Sequence, residues 1–432
     1  MLGVGVDDLD EGYFVQQATR VLHGQLPYRD FDTLYTPALA FVHAGIFAVS
    51  GGPSLLGPRL LAWLARAALV LVLFGVTRPL VRNRWWAALP GLVLLIGLDN
   101  APERWEPHPG WLSSLFAIVA AWCLTHRSSR WFLLSGLAAG IAYAFKQNTG
   151  VFILGAILVW CWPRVRWPLA AFGVSTAAWL GPLMAAGVPL SRLGVIVGAV
   201  NEAGLLAPPE PTVLIPLAAL AAGVWLLRKD SHPHVRLFLL AGSALLLTEF
   251  PRMDTLHLLW SAPLLLVLGA IALERLPRAI TVLSLAATAV LLWPNLASRI
   301  TYTALPRAPV DGVQAPSQTA VDVRSTVEDI RARTRPGEPI FVYPTSPLLY
   351  VLADRPNPTR WDHLNPGAAT DGDIQKVISD LEAANVRLVV ISDFWVAAWG
   401  PPGPNAALPT WIEQQYVEVG HHGAYRLLAS AI

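Results

Sequence analysis

From residue 57 to about residue 296 the chain repeats one pattern: long apolar runs separated by short polar turns. A helix needs about 20 apolar residues to cross about 30 Å of hydrocarbon. Runs at 57–77, 85–99, 110–125, 131–145, 150–162, 167–187, 211–227, 237–250, 258–275 and 279–296 predict about ten crossings, the shorter ones drawing on flanking residues. The apolar stretch Pro37 to Ser50 is about 14 residues long, which suits a helix lying in the interface better than a crossing. Beyond Ser298 the pattern changes. A Pro-rich stretch, Leu305 to Pro316, leads into VEDIRARTRPGEPIFVYP, which reads as helix, turn and strand, and into GDIQKVISDLEAANVRLVVIS, an amphipathic helix feeding a buried strand. The expected fold is a polytopic α-helical membrane protein with a small C-terminal α/β soluble domain. Its parts are a first loop with juxtamembrane helices at 1–56, a transmembrane domain at 57–298 and the α/β domain at 317–432.

Charge placement orients these spans. Alternate turns carry Arg78, Arg82 and Arg84; Arg127 and Arg130; Arg164 and Arg166; Arg228, Lys229 and Arg236; and Arg275 and Arg278, with Asp230 and Glu274 as the only offsetting acids. Lys and Arg accumulate in cytoplasmic loops. The remaining turns then face the other side, together with the N-terminus and the C-terminal domain, in a multi-pass protein of the cell membrane. An N-terminus on that side needs something to carry it across, and MLGVGVDDLD is neither a signal peptide nor a span. A further membrane helix upstream of Met1 is therefore expected.

Composition narrows the classes. With 54% hydrophobic and 14% charged residues in 432, membrane lipid is the natural solvent, and a net charge of +2 provides no field for nucleic acid. Cys123 and Cys161 both lie in apolar runs and suggest neither a disulfide framework nor a zinc site. The C-terminal region has no phosphate-cradling glycine fingerprint.

The residues able to do chemistry collect in the turns opposite the basic ones. The richest segment, DDLDEGYFVQQATRVLHGQLPYRDF, sets Asp7, Asp8, Asp10 and Glu11 just before an amphipathic helix running to His23. Such acids cap helix starts. They also suit removal of a proton from a hydroxyl, a poor nucleophile until a carboxylate within reach takes that proton. APERWEPHPGW brings Glu103, Glu106 and His108, either acceptor contacts, ligands of a divalent cation, or a solvated loop anchored by Trp105 and Trp111. AGIAYAFKQNTGVF brings Lys146, Gln147 and Asn148. Lys146 suits a leaving phosphate, or it snorkels to lipid headgroups. EFPRMDTLHLLW brings Arg252, Asp254 and His257, groups for phosphate or sugar hydroxyls, or a surface pair with a helix cap. Arg66, inside an apolar run, has to find a partner or an aqueous cavity.

The order of an acidic pair, GYF, an Ala-containing helix, GQLPYRDF, a Pro-led apolar helix and Pro58-Arg59-Leu60-Leu61 resembles the first external loop of the GT-C superfamily of glycosyltransferases. Protein mannosyltransferases and aminoarabinose transferases belong to that superfamily. The GLAAG-IAYAFKQNTG stretch and the Arg-x-Asp-x-x-His pattern at 252–257 resemble it too, so the likeness runs over about residues 7 to 270. It implies a GT-C-like fold and a polyprenyl-phosphate-linked sugar donor. It also implies a glycan, lipid or protein acceptor, and catalysis by the Asp10-Glu11 pair with Asp10 as the base. No cofactor is called for beyond a divalent cation, which stays open. The soluble domain lies outside the resemblance; Trp361, His363, Trp395 and Trp399 there could stack on sugars but read as packing residues. Two other classes stay open: a transporter or lipid flippase, against which stands the absence of a visible internal repeat, and a non-catalytic cell-envelope scaffold.

Overall fold

The computed structural model describes residues 4–97, 107–192, 210–229, 232–250, 254–364, 369–399 and 406–431. Two short helices come first, α1 (Asp10–Leu22) and α2 (Ala38–Ser50). The acidic start of α1 is stabilised as such starts should be. Asp7 Oδ1 accepts the amides of Leu9 (3.0 Å) and Asp10 (3.3 Å), and Asp10 and Glu11 sit in the first turn, where the helix dipole favours negative charge.

The apolar runs then form α3 (Leu56–Thr77), α4 (Arg84–Gly97), α5 (Pro109–Cys123), α6 (Ser129–Phe145), α7 (Gln147–Cys161) and α8 (Arg166–Ala185). They continue as α9 (Leu214–Lys229), α10 (Pro233–Leu247), α11 (Thr255–Ser261), α12 (Pro263–Arg275) and α13 (Arg278–Thr303). The run read as a single span over 258–275 is divided, because Pro263 has no amide to continue the helical ladder. The run read over 237–250 begins earlier, at Pro233, and stops at Leu247, so Thr248 and Glu249 lie past the helix end. Among the described residues, Leu56–Leu80, Arg166–Ala185, Pro211–Lys229 and Arg278–Tyr302 are long and apolar enough to cross a membrane.

Leu73, Ile118, Ala139, Ile153, Phe238 and Leu265 interlock in one core, whereas the outer helices turn large apolar side chains outward. Val174 on α8 and Leu283 and Val290 on α13 are 69–71% exposed, which only a lipid solvent makes favourable. Basic turns meet in two groups. Both Glu274 oxygens accept the amide of Arg82, and Oε1 also takes that of Asn83. Arg127 lies over the Trp160 ring in a cleft shared with Arg164 and Arg236.

Arg307–Val310 (β1) and Val313–Pro316 (β2) form a hairpin whose Asp311-Gly312 corner has φ of 45° and 78°, the left-handed pair that a tight turn requires. Beyond it a four-stranded sheet has the order β3 (Phe341–Tyr343), β4 (Leu388–Ser392), β6 (Tyr425–Ser430), β5 (Tyr416–His422), parallel between β3 and β4 and antiparallel elsewhere. Helices α14 (Ser317–Arg333), α15 (Leu348–Ala353) and α16 (Asp371–Ala383) pack around it.

This C-terminal region shares its core with the N-terminal segment. Val15 and Ala18 of α1 and Phe47 of α2 are buried with Val313, Ile330, Leu348 and Leu427. The other side of α1, Tyr13 and Phe14, packs with Phe145 and, less deeply, Leu112 and Phe116 of the bundle. Helix α1 is thus a layer between two bodies. Gly12 marks how tight that layer is, since a Cβ there would lie 2.6 Å from the Leu348 backbone nitrogen.

Candidate active site

Four carboxylates fall within residues 7–11, and the structure gives them different surroundings. Glu11 is fully buried and accepts both arms of Arg59, at 2.5 Å from Nε and 2.6 Å from Nη2, while Arg59 also donates to the carbonyls of Val4 and Gly5. Asp8 turns toward the C-terminal sheet, accepting the hydroxyls of Ser346 (2.6 Å) and Tyr425 (2.7 Å) and the Trp395 indole N–H (3.4 Å). Asp7 accepts two amides at the entry to α1, and burial, followed by the charges of Asp10, Asp8 and Glu11, pushes its carboxyl up to about 8. Asp10 is half-buried in the first turn of α1, one turn ahead of Phe14 and therefore on the same face.

Phe14 leads to the second group. Its ring meets His108 edge-on, with centroids 5.4 Å apart. His108 is buried, and its Nδ1 accepts the Gly110 amide at 2.9 Å, which places the ring proton on Nε2, 3.1 Å from the Tyr35 hydroxyl. The His108 ring stacks on Trp260 at 3.8 Å, nearly parallel. Gly110 has to be glycine here, because a Cβ would run into the Trp260 ring.

Trp260 is the centre of the arrangement. The Lys146 ammonium lies 4.8 Å from its ring centroid and His257 meets it edge-on at 5.4 Å. Its own indole N–H is buried without a hydrogen-bond partner among the described residues. Lys146 sits at the break between α6 and α7, in extended backbone, and is buried against Glu249, with Nζ 3.2 and 3.3 Å from the two carboxylate oxygens. Its neighbour Gln147 holds the 34–36 segment through the Leu34 carbonyl (2.9 Å) and the Thr36 amide (3.3 Å), and Asn148 donates to the Thr248 carbonyl. Asp254 caps α11 by accepting the His257 amide and contacts its Nδ1 at 2.7 Å.

Of the residues singled out in the sequence, His108, Lys146 and His257 therefore converge on one indole. Gln147 ties the loop after α1 to the same end of the bundle, and Asp10 lies one helical turn beyond. Glu103, Glu106 and Arg252 lie outside the described residues. Glu11 is the catalytic candidate whose oxygens are both taken by a guanidinium. Trp111, read as an interfacial anchor, is instead buried with Arg66 4.2 Å over its ring, which answers the need of that buried cation. Trp395 bonds to Asp8, and His363 packs edge-on to Tyr13 with burial pulling its imidazole down to about 4.

Sequence reasoning missed Glu249, Trp260 and Tyr35. The first two had been absorbed into apolar spans, although a carboxylate at the end of such a run signals a buried partner. Among the described residues no cluster of His, Cys, Asp and Glu has the grouping to hold a metal ion.

No protein-family model and no curated protein matches the sequence. Solved structures do match over nearly the whole chain. ArnT from Cupriavidus metallidurans bound to undecaprenyl phosphate is 13% identical, with 99% of this chain and 94% of that one covered and a TM-score of 0.64. The archaeal oligosaccharyltransferase AglB from Archaeoglobus fulgidus, in complex with an inhibitory peptide and a dolichol-phosphate, is 10% identical over 98% of this chain and 70% of its own, at a TM-score of 0.56. The architecture is the GT-C fold, a multi-pass helical bundle carrying a small C-terminal mixed sheet.

Proposed function

We propose that the chain is an inverting glycosyltransferase that moves a sugar from a polyprenyl-phosphate carrier to a hydroxyl of a glycan, lipid or protein acceptor on the extracytoplasmic side of the membrane. The observation that carries this reading is the convergence of His108, Lys146 and His257 on Trp260 at the end of the bundle that also receives α1 and its acidic start. Two structures of the same fold, ArnT and AglB, hold undecaprenyl phosphate and a dolichol-phosphate with an inhibitory peptide, which supports a lipid-linked donor here.

In the proposed reaction Asp10 takes the acceptor proton as the acceptor atom bonds to the anomeric carbon. The sugar–phosphate bond breaks on the opposite face, and the phosphate leaves with the bonding electrons. A phosphate is a good leaving group and needs a cation more than an acid, the part given to Lys146 with Arg252 as a second donor. His257, oriented by Asp254, and Gln147 complete the donor side. His108 is assigned to the acceptor, the part the sequence also gives Glu103 and Glu106, a divalent cation being the alternative use of those three. Glu11, locked to Arg59, fixes the turn that presents Asp10.

The test is transfer from radiolabelled polyprenyl-phosphate sugars by the purified protein and by Asp10→Asn. Loss of about 10²–10⁴ in rate with donor binding intact is expected for a general base. Full transfer by Asp10→Asn would remove it from the mechanism, and wild-type protein inert with every donor would end the reading.

A further inference from the structure

We infer that Glu249 is a resident counter-ion, a carboxylate that occupies Lys146 between turnovers and that the donor phosphate has to displace. This rests on the reading of Lys146 as the phosphate cation. Both carboxylate oxygens of Glu249 are within 3.2–3.3 Å of Nζ, and both side chains are about 95% buried, so the ammonium has no charge left over for a second anion while Glu249 stays.

Stability alone is a weak reason to keep such a pair. Taking two charges out of water costs about as much as their attraction returns, and apolar residues of the same volume do as well or better. The placement points to exchange. Glu249 stands beyond the end of α10, and its turn is anchored apart from the carboxylate, by Asn148 Nδ2 to the Thr248 carbonyl at 2.9 Å and by the Thr248 hydroxyl to the Leu245 carbonyl at 2.7 Å; that hydroxyl also lies 3.0 Å from Glu249 Oε1, a contact the side chain gives up when it moves. The side chain can leave Lys146 while the backbone stays attached. Nearby, the unpartnered Trp260 indole N–H is a second buried donor that an incoming oxyanion would satisfy.

The charge arithmetic gives the exchange a direction. A sugar-phosphate-polyprenyl donor is a phosphodiester with one negative charge, whereas the product polyprenyl phosphate is a monoester with about −1.5 to −2. The product therefore holds an ammonium more strongly than the substrate does. A carboxylate waiting beside the site competes for Lys146 and speeds product departure. Glu249 acts through Lys146 and is a positioning residue.

Equilibrium binding of radiolabelled undecaprenyl phosphate to full-length protein in detergent micelles tests the idea. Glu249→Gln is expected to bind at least about tenfold more tightly than wild type, because a competing charge at contact distance has been removed. In transfer assays the same variant should show a lower donor KM together with a lower kcat. A structural staple would instead lower kcat and the melting temperature without tightening binding. Adding Lys146→Met to Glu249→Gln should abolish the gain. Should Glu249→Gln fail to fold, Glu249→Asp, which lengthens the pair by one methylene, is expected to tighten binding in the same sense. Unchanged or weaker binding by a folded variant, or a gain that survives Lys146→Met, overturns the inference and leaves the proposed function standing. Wild-type protein that binds no undecaprenyl phosphate ends both.

Discussion

Replacing Arg59 with Met should be among the most damaging single changes available in the N-terminal segment. Arg59 makes two charge-assisted bonds to Glu11 and two further bonds to the Val4 and Gly5 carbonyls, and both side chains of the pair are essentially sealed from solvent. Removing one member leaves a carboxylate buried without a cation, a defect of about 3–5 kcal/mol. The reciprocal change, Glu11→Gln, strands the guanidinium but keeps a carbonyl oxygen for it, so it should cost less. The double variant buries no charge at all. Its loss should therefore fall short of the sum of the single losses by about 0.5–3 kcal/mol, the range for directly contacting groups.

The assay is resistance to proteolysis and thermal unfolding of the detergent-solubilised protein, read for wild type, both single variants and the double variant as one cycle. A transfer assay on the same preparations asks whether the turn that presents Asp10 has lost its shape. The reasoning fails if Arg59→Met costs under about 1 kcal/mol, or if the two losses simply add, because either result means that the pair is hydrated and the burial described above does not hold in solution.

Two further changes probe the same layer. Gly12→Ala places a methyl group against the backbone of Leu348 and should cost about 1–3 kcal/mol while loosening the C-terminal region from α1, seen as faster proteolytic release of that region; an unchanged melting temperature would show that the contact yields freely. Asp7→Asn concerns pH. The folded protein holds the Asp7 proton up to about 8 while the unfolded chain releases it near 3.8, so unfolding sheds a proton across that window. Stability from this group is complete below about 4 and is lost as pH rises through about 8. Wild type should lose melting temperature from about pH 5 to about pH 9, and Asp7→Asn should lose less; parallel curves would refute the assignment.

The hydrophobic spans were readable because lipid imposes a length and a composition on every crossing segment, and that constraint acts locally on the chain. The turn residues were readable as candidates for a related reason, since polar side chains next to lipid are costly unless used. Partner choice was a different matter. The partners are far apart in sequence: Lys146 and Glu249 by 103 residues, Arg59 and Glu11 by 48, Asp8 and Tyr425 by 417. Periodicity carries nothing about such pairings. Arg66 shows how far local reasoning goes, because its burial implied a partner without identifying Trp111. Glu249 carries the same implication, since a carboxylate at the end of an apolar run requires a buried partner, but nothing local to it points to Lys146.

The acidic turn at 7–11 also ties the C-terminal region to the proposed chemistry, a link the sequence motifs over residues 7 to 270 do not reveal and the structural match over 99% of the chain includes. Four negative charges within five residues cannot remain ionised side by side beside an apolar layer unless something answers each one. Arg59, at the head of the bundle, answers Glu11. Tyr425, Ser346 and Trp395, all from the C-terminal region, answer Asp8, and a retained proton answers Asp7. The electrostatic setting of Asp10 is thus assembled by both bodies at once. Separating the C-terminal region would expose Asp8 to water and screen its contribution to the rise at Asp7, which is smaller than those of burial and Asp10, changing the surroundings of Asp10 without touching it. Tyr425 of the sheet, with Ser346 and Trp395 beside it, in this way shapes the surroundings of the proposed base through the hydrogen bonds the three donate to Asp8.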